Sequence, residues 1–214
     1  MKPFHEPHKL EIGVDEAGRG PFLGPVFAAA VIWDPNLTEP EMPVCDSKKL
    51  KTEAKLERSY NYIIDNALAY GIAQVSETEI DQINILQATF KAMKSAIDQC
   101  ELAPDTLLID GDKFDVYFDR QGNPVECYTI PKGDDTYFSI AAASILAKWS
   151  RDKYILDLCK QYPELDERYQ ISRNKGYGAP AHREGIRKYG ITQFHRQSFK
   201  CCSGFQLTFL QALD

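Results

Sequence analysis

Gly13-Val14-Asp15-Glu16-Ala17-Gly18-Arg19-Gly20-Pro21 places two adjacent carboxylates at the end of an apolar stretch and follows them at once with a Gly-Arg-Gly turn. Because successive side chains of a strand point to opposite faces, Asp15 and Glu16 would lie on the two sides of a strand end. Glycines directly beyond a strand allow a ligand to approach the backbone closely. The stretch therefore predicts a strand that ends at a cation site beside an opening of phosphate size.

Four acidic residues fall at or just beyond the ends of predicted strands, namely Asp15, Glu16, Asp110 and Asp134. In open α/β sheets, ligands collect at the carboxyl ends of the strands. Four carboxylates at one place would repel one another, and bound cations would offset that repulsion. Hard oxygen ligands without Cys or His favour Mg²⁺, with Mn²⁺ as a substitute, so the pattern predicts metal-dependent hydrolysis of a phosphodiester. For Asp134, the alternative is an N-cap of the following helix.

Two further segments of the sequence are candidates for contacts with phosphate or sugar. Arg19 lies between Gly18 and Gly20, where a salt bridge is the alternative to a substrate contact. Ser47 and Lys48 stand at the start of a predicted helix, and the N-terminus of a helix favours phosphate. For the lysine, the alternative is an ordinary solvated charge.

The C-terminal part of the chain offers further contacts. Tyr177 follows Lys-Gly in a basic turn and is a candidate for stacking on a nucleotide, or else a surface ring. Arg196 and Ser198 belong to a donor-rich segment that can contact a nucleic-acid backbone. His182 and His195 lack metal-ligand spacing, and we interpret them as phosphate-contacting or surface histidines.

The charge of the chain is unevenly distributed. A net charge of −6 by itself argues against a nucleic-acid partner. From Arg168 to Lys200, however, eight Lys or Arg residues accompany a single acid, Glu184. This asymmetry predicts a module that faces a polyanion next to an acidic site.

Cysteine usage and hydropathy indicate the compartment. The six cysteines include no CxxC pair, which favours reduced thiols over a zinc site or disulfides. The first eight residues lack the apolar core of a signal peptide, and the longest apolar run, Val26 to Trp33, is too short to span a bilayer. We expect a cytoplasmic protein without a membrane segment.

Hydrophobic periodicity predicts alternating strands and helices, and hence an α/β layer with a mixed sheet. Residues 1–165 are expected to form the catalytic core, and residues 166–214 a basic, helical substrate-binding region that is not an independent domain. The predicted strands are 10–16, 25–33, 68–75, 107–110 and 128–131, and the predicted helices run over 46–67, 76–100, about 134–162 and 182–189. A hairpin tip is predicted at 121–123.

Seven short motifs follow one another along the chain and together span about residues 10 to 200. They are Gly-Val-Asp-Glu-Ala-Gly-Arg-Gly-Pro at 13–21, Asp-Ser-Lys-Lys-Leu at 46–50, Leu-Ile-Asp-Gly at 108–111, Lys-Gly-Asp at 132–134, Ala-Ala-Ser-Ile-Leu-Ala-Lys at 142–148, Lys-Gly-Tyr at 175–177 and His-Arg-x-Ser-Phe at 195–199. In these motifs and in their order, the chain resembles the ribonuclease HII family, the bacterial type 2 ribonucleases H.

The resemblance implies an RNase H-like fold with a central mixed five-stranded sheet flanked by helices and a C-terminal helical extension. It implies cleavage of RNA in RNA–DNA hybrids and incision 5′ of single ribonucleotides in duplex DNA, leaving 3′-hydroxyl and 5′-phosphate ends. Asp15, Glu16, Asp110 and Asp134 match the family's metal-binding and catalytic acids. Tyr177 and the Gly-Arg-Gly backbone match the groups with which the family recognises the ribose 2′-hydroxyl. A monomer is expected. Residues 203–214 are expected to pack as a terminal segment; the alternative is the family's C-terminal sliding-clamp peptide, to which residues 206–210 are only loosely similar.

Two other functions are compatible with parts of the sequence. Ile109-Asp110-Gly111-Asp112 has the Asp-x-Asp pattern of haloacid-dehalogenase-like phosphatases, although it lies mid-chain and lacks the usual Thr. A non-catalytic nucleic-acid-binding module would explain the basic segment but has no need of four acids at strand ends.

Overall fold

A computed structural model describes residues 1–34, 47, 50 and 52–213. The strands are β1 Glu11–Ala17, β2 Val26–Ile32, β3 Ala69–Val75, β4 Thr106–Asp110, β5 Glu126–Ile130, β6 Ile191–Thr192 and β7 Leu207–Thr208. The helices are α1 Glu53–Asn66, α2 Glu77–Ile83, α3 Ile85–Gln99, α4 Phe138–Gln161, α5 Glu164–Tyr169, α6 Ile171–Asn174 and α7 Pro180–Tyr189, with a 3₁₀ turn at Gly133–Asp135. Within these ranges, no helix is both long and apolar enough to cross a membrane.

The main sheet has five strands in the order β3-β2-β1-β4-β5. Strand β1 runs antiparallel to β2 and parallel to β4, and β4 runs parallel to β5. The predicted mixed five-stranded sheet is therefore confirmed. Because β1, β4 and β5 point the same way, their carboxyl ends lie at one edge of the sheet.

The chain divides into two compact units. The first comprises Met1–Ala17, Phe27–Gln74 and Thr89–Trp149, and the second comprises Gly18–Val26, Val75–Ala88 and Ser150–Asp214. The predicted division at residue 165 stays a prediction of the sequence.

In the first unit, Gly13 allows helix α4 to pack directly on strand β1. A Cβ atom at Gly13 would lie 2.2 Å from the carbonyl carbon of Ser139 and 2.3 Å from the nitrogen of Ile140. Only a residue without a side chain fits such a close approach of two backbones. Ala143, one helical turn after Ser139 and fully buried, lies on the same face of α4.

In the second unit, a separate apolar cluster packs the C-terminal helices. Tyr169, Ile171, Ile186 and Cys202 are among its buried members, and Leu23 joins them from the N-terminal part of the chain. Residues 207–208 pair with β6, and Leu210 is buried in the same cluster. These contacts are made by residues 207, 208 and 210, whereas Phe209 is 72% exposed, so the packing of residues 203–214 as a whole stays a prediction.

Two predicted helix starts are wrong, one predicted helix is divided in two, and two short helices were not predicted. Helix α1 starts at Glu53, because the Thr52 hydroxyl caps it by accepting the N–H of Lys55. In the first part of the helix predicted over 46–67, Asp46, Lys48, Lys49 and Lys51 lie outside the described residues. Helix α4 starts at Phe138, after the 3₁₀ turn. The helix predicted over 76–100 is two helices, α2 and α3. The short helices α5 and α6, which precede the helix predicted over 182–189, were not predicted.

The break between α2 and α3 has a local cause. Asn84 has a φ of 67°, a left-handed conformation that Asn tolerates better than most residues. Its side-chain oxygen accepts the N–H groups of Leu86 and Gln87. The residue therefore ends one helix and caps the next, and hydrophobic spacing alone does not reveal this.

Candidate active site

Two of the predicted acids end adjacent parallel strands. Val14 on β1 is paired with Ile109 on β4, so the next residues along the two strands are Asp15 and Asp110. Their charges interact, and Glu16 adds to the interaction. The strand order thus brings together carboxylates that are 95 residues apart in the sequence.

Asp15 is buried, with 5% of its surface exposed. It lies on the face of β1 that also carries Gly13, and its carboxylate is hydrogen-bonded to Ser144 of α4. Burial raises the pKa of Asp15 well above its usual range, and the negative charges of Glu16 and Asp110 raise it further. A cation at this position would counteract all three effects.

Asp110 positions the turn that carries Asp134. Its Oδ1 accepts the backbone N–H of Gly133 at 2.7 Å and that of Asp134 at 3.4 Å. Asp134 is 4% exposed, whereas its neighbour Asp135 is exposed. The alternative of an N-cap for Asp134 is wrong, because α4 begins only at Phe138.

Among the residues with described positions, no three His, Cys, Asp or Glu side chains are gathered closely enough to hold a metal ion as they stand. The four acids are instead linked in pairs, Asp15 with Glu16 and Asp110, and Asp110 with the backbone of Asp134. Their donor set is entirely carboxylate oxygen, which suits Mg²⁺ or Mn²⁺.

Ser47 lies close to this group in the first unit. It is 3% exposed, and its hydroxyl oxygen is 3.0 Å from that of Ser144, which in turn contacts Asp15. Lys48 lies outside the described residues. Sequence reasoning missed Ser144, although a polar residue in an otherwise apolar Ala-Ala-Ser-Ile-Leu-Ala run could have drawn attention to it.

In the second unit, two buried arginines hold the segment 18–25. The Arg196 guanidinium donates to the carbonyl oxygens of Gly18 (2.6 Å), Arg19 (2.9 Å) and Gly24 (2.9 Å). Arg151 donates to the carbonyl oxygens of Leu23, Pro25 and Lys175. Arg196 is 0% exposed, so its predicted direct contact with substrate stays a prediction, and its observed contacts are with the Gly-Arg-Gly segment. Sequence reasoning missed Arg151.

The hydrogen bonds from Arg196 leave part of the Gly-Arg-Gly turn accessible to solvent. Arg19 and Gly20 are exposed, and a Cβ atom at Gly20 would lie 3.7 Å from Cε1 of Tyr177. The Tyr177 ring is 50% exposed, and the Arg151 guanidinium lies 5.8 Å from its centroid. The second unit therefore brings the turn and the tyrosine together, as the sequence motifs predict.

Ser198 and the two histidines have partners within the second unit. The Ser198 hydroxyl and backbone N–H both donate to the Asp81 carboxylate. His182 and His195 are buried, and their Nε2 atoms are 3.0 Å apart. Their interpretation as phosphate-contacting or surface histidines is wrong.

Comparisons with known proteins agree with the motif pattern. The family model "Ribonuclease HII" matches residues 12–202. The ribonuclease HII of Caldicellulosiruptor bescii is 45% identical over 200 residues, which cover 92% of this chain and 90% of that protein. The ribonuclease HII of Parabacteroides distasonis is 45% identical over 199 residues, covering 93% and 94%.

Solved structures share the fold. The crystal structure of ribonuclease H2 from Pyrococcus horikoshii OT3 matches with a TM-score of 0.72 and 27% identity, covering 90% of this chain and 94% of that one. Bst-RNase HIII in complex with Mn²⁺ matches with a TM-score of 0.55 and 20% identity, covering 93% and 70%. The RNase H-like fold is therefore confirmed.

The family match excludes both alternatives drawn from the sequence, a phosphatase of the haloacid-dehalogenase type and a non-catalytic binding module. With the acids at the carboxyl edge of the sheet and a match over residues 12–202, the chain belongs to the ribonuclease HII family, the type 2 ribonucleases H, which are endonucleases that hydrolyse phosphodiester bonds.

Proposed function

We propose that this chain cuts on the 5′ side of a ribonucleotide, both in RNA–DNA hybrids and at single ribonucleotides in duplex DNA, and leaves 3′-hydroxyl and 5′-phosphate ends. Asp15, Glu16, Asp110 and Asp134 would hold Mg²⁺ or Mn²⁺. The observation that carries this proposal is the meeting of Asp15 and Asp110 at the ends of adjacent parallel strands.

The surroundings of these acids support a cation site. Asp15 is buried and repelled by two other carboxylates, and the donors are all hard oxygens. Ions held by Asp15, Glu16, Asp110 and Asp134 would supply Lewis-acid activation of a water and charge stabilisation for the hydrolysis of a phosphodiester. The residues of the chain hold the acids in place: Ser144 orients Asp15, and the N–H of Gly133 orients Asp110.

Recognition of the ribose is assigned to Gly18, Arg19, Gly20 and Tyr177. A 2′-hydroxyl both donates and accepts hydrogen bonds, and backbone groups of a glycine turn can approach it closely. The exposed ring of Tyr177 beside Gly20 offers a surface on which a sugar can pack. The proximity of Tyr177 to Gly20 supports the proposal that the ring and the Gly-Arg-Gly turn contact the same nucleotide.

Further contacts belong to the same proposal. Ser47 and Lys48 would bind phosphate, as would Ser198 and the basic residues between 168 and 200. The cytoplasm and the monomeric state stay predictions of the sequence.

The test compares three labelled duplexes of equal length: one with a single ribonucleotide, one with an all-RNA strand opposite DNA, and one of DNA alone. The first two should be cut and the third left intact. Tyr177→Ala should lower cleavage at the single ribonucleotide, and Tyr189→Ala, which changes another exposed tyrosine of the second unit, should not. Cleavage of the all-DNA duplex at a comparable rate would contradict the proposal.

A further inference from the structure

The backbone of Tyr177 is fixed on both sides, although its ring is half exposed. Its N–H donates to the carbonyl oxygen of Asn174 at 2.9 Å. Its own carbonyl oxygen accepts the N–H of Ala179 at 2.8 Å and lies 2.9 Å from Nδ1 of His182. The residue is thus held through its peptide groups, which leaves the side chain available to a ligand.

The protons on the two buried histidines follow from their partners. The Thr192 N–H points at Nδ1 of His195 at 2.9 Å, so this nitrogen must carry a lone pair, and the His195 proton sits on Nε2. That N–H donates to Nε2 of His182 at 3.0 Å. The remaining His182 proton therefore sits on Nδ1 and is donated to the Tyr177 carbonyl oxygen.

The surroundings keep this pair neutral. His182 and His195 are 0% and 1% exposed, and the rings of Phe22 and Tyr169 pack against them. The charged group that acts on His182 is the guanidinium of Arg183. Burial lowers the pKa of His182, and burial together with His182 lowers the pKa of His195 to about 3. A second proton would also set two N–H groups against each other.

We propose that His182 and His195 are positioning residues that hold the Tyr177 peptide so that its ring keeps its place beside Gly20 and reads the sugar at the ribonucleotide junction. This inference rests on the proposed role of Tyr177. Neither histidine touches the substrate. A chain of hydrogen bonds runs from the Thr192 N–H through the imidazoles of His195 and His182 to the carbonyl oxygen of Tyr177.

A double-mutant cycle tests whether His182 acts through Tyr177. It uses the wild type, His182→Leu, Tyr177→Ala and the double variant, with kcat/KM measured on a duplex containing one ribonucleotide, well below each melting temperature. His182→Leu should lower kcat/KM roughly fivefold to tenfold, as expected for one lost hydrogen bond. In the Tyr177→Ala background the same change should have less than about a twofold effect, which is well under the energy of one hydrogen bond. His8→Asn, at an exposed histidine, is the control and should match the wild type.

A conservative variant separates positioning from packing. Asn can place an N–H donor close to where Nδ1 of His stands, so His182→Asn should recover most of the activity that His182→Leu loses. If His182 only fills space, Leu should serve at least as well as Asn among the neighbouring apolar rings. If His182→Leu does not fold, His182→Met, which also lacks an N–H donor, takes its place in the cycle.

Imidazole ¹⁵N NMR of the wild type at neutral pH tests the proton positions independently of catalysis. His182 should be protonated on Nδ1 and His195 on Nε2, and the opposite tautomers would overturn the proposal. Additive losses in the cycle would overturn the positioning role alone. If Tyr177→Ala itself cut the junction at the wild-type rate, both the proposed role of Tyr177 and this inference would fail.

Discussion

Asp110 and Gly133 are joined by a hydrogen bond of 2.7 Å between the carboxylate Oδ1 and the backbone N–H. The acid at the end of β4 thereby sets the turn on which Asp134 stands. Asp110 accepts this hydrogen bond and also carries a negative charge. The two roles can be separated chemically, because an amide oxygen can accept the same hydrogen bond but carries no charge.

Asp110→Asn should therefore abolish cleavage while the fold is kept. Loss of one anionic ligand removes several kcal/mol of stabilisation from the reaction, so the rate should fall by about a thousandfold or more. The melting temperature and the affinity for a ribonucleotide-containing duplex should change little. Single-turnover nicking, thermal unfolding and a binding titration measure the three quantities.

Asp112→Asn provides the matched control, since Asp112 is an exposed acid two residues further along. It should cut at the wild-type rate. Undiminished turnover by Asp110→Asn would remove Asp110 from the catalytic site.

Gly13→Ala should destabilise the first unit strongly. The new methyl group would lie 2.2 Å from the backbone of Ser139, so α4 would have to move away from β1. Overpacking of this kind should cost about 3 kcal/mol of unfolding free energy or more. Gly122→Ala, with a φ of 86° and open space around it, should cost only about 1–2 kcal/mol from backbone strain. Denaturant unfolding compares the two, and equal losses would argue against the close packing of α4 on β1.

The buried histidine pair predicts acid sensitivity. The pKa of His195 is about 3 in the folded chain, below the value of about 6.5 expected when unfolded, so the unfolded state binds more protons as pH falls below 6.5. Its contribution to stability is complete above that pH and is lost below it. Between pH 7.5 and pH 5 the wild type should lose about 2 kcal/mol more unfolding free energy than His195→Gln. Parallel losses in the two proteins would mean that His195 is already a doubly protonated, positively charged imidazolium in the folded chain.

Salt dependence tests the basic segment. Lys188 is exposed on α7 and should release one counterion when it meets a phosphate. In Lys188→Gln the slope of log K against log salt concentration should be shallower by about 0.9. Lys153→Gln, which changes an exposed lysine of α4 outside the segment, should leave the slope unchanged. An identical slope in Lys188→Gln would place that lysine outside the interface.

The sequence predicted β1 to β4 well because each has a clear apolar run. Strand β5, Glu126–Ile130, lacks such a run and was predicted two residues late, and the two-residue strands β6 and β7 were not predicted. The sequence placed Asp15 and Asp110 at strand ends, and the parallel pairing of β1 with β4 makes them neighbours. Short-range patterns did not reveal the left-handed Asn84 that divides two helices. They also did not reveal the burial of His182, His195 and Arg196, because polar residues in a basic segment look like a solvated surface until their partners are known.

The most direct test of the cation site uses a duplex with one ribonucleotide, incubated with Mg²⁺, with Mn²⁺ or with a chelator, followed by analysis of the product ends. We predict a nick on the 5′ side of the ribonucleotide only when a divalent ion is present, with 3′-hydroxyl and 5′-phosphate ends. Equal cleavage in the chelator, or a 2′,3′-cyclic phosphate at the nick, would contradict the role assigned to the four acids.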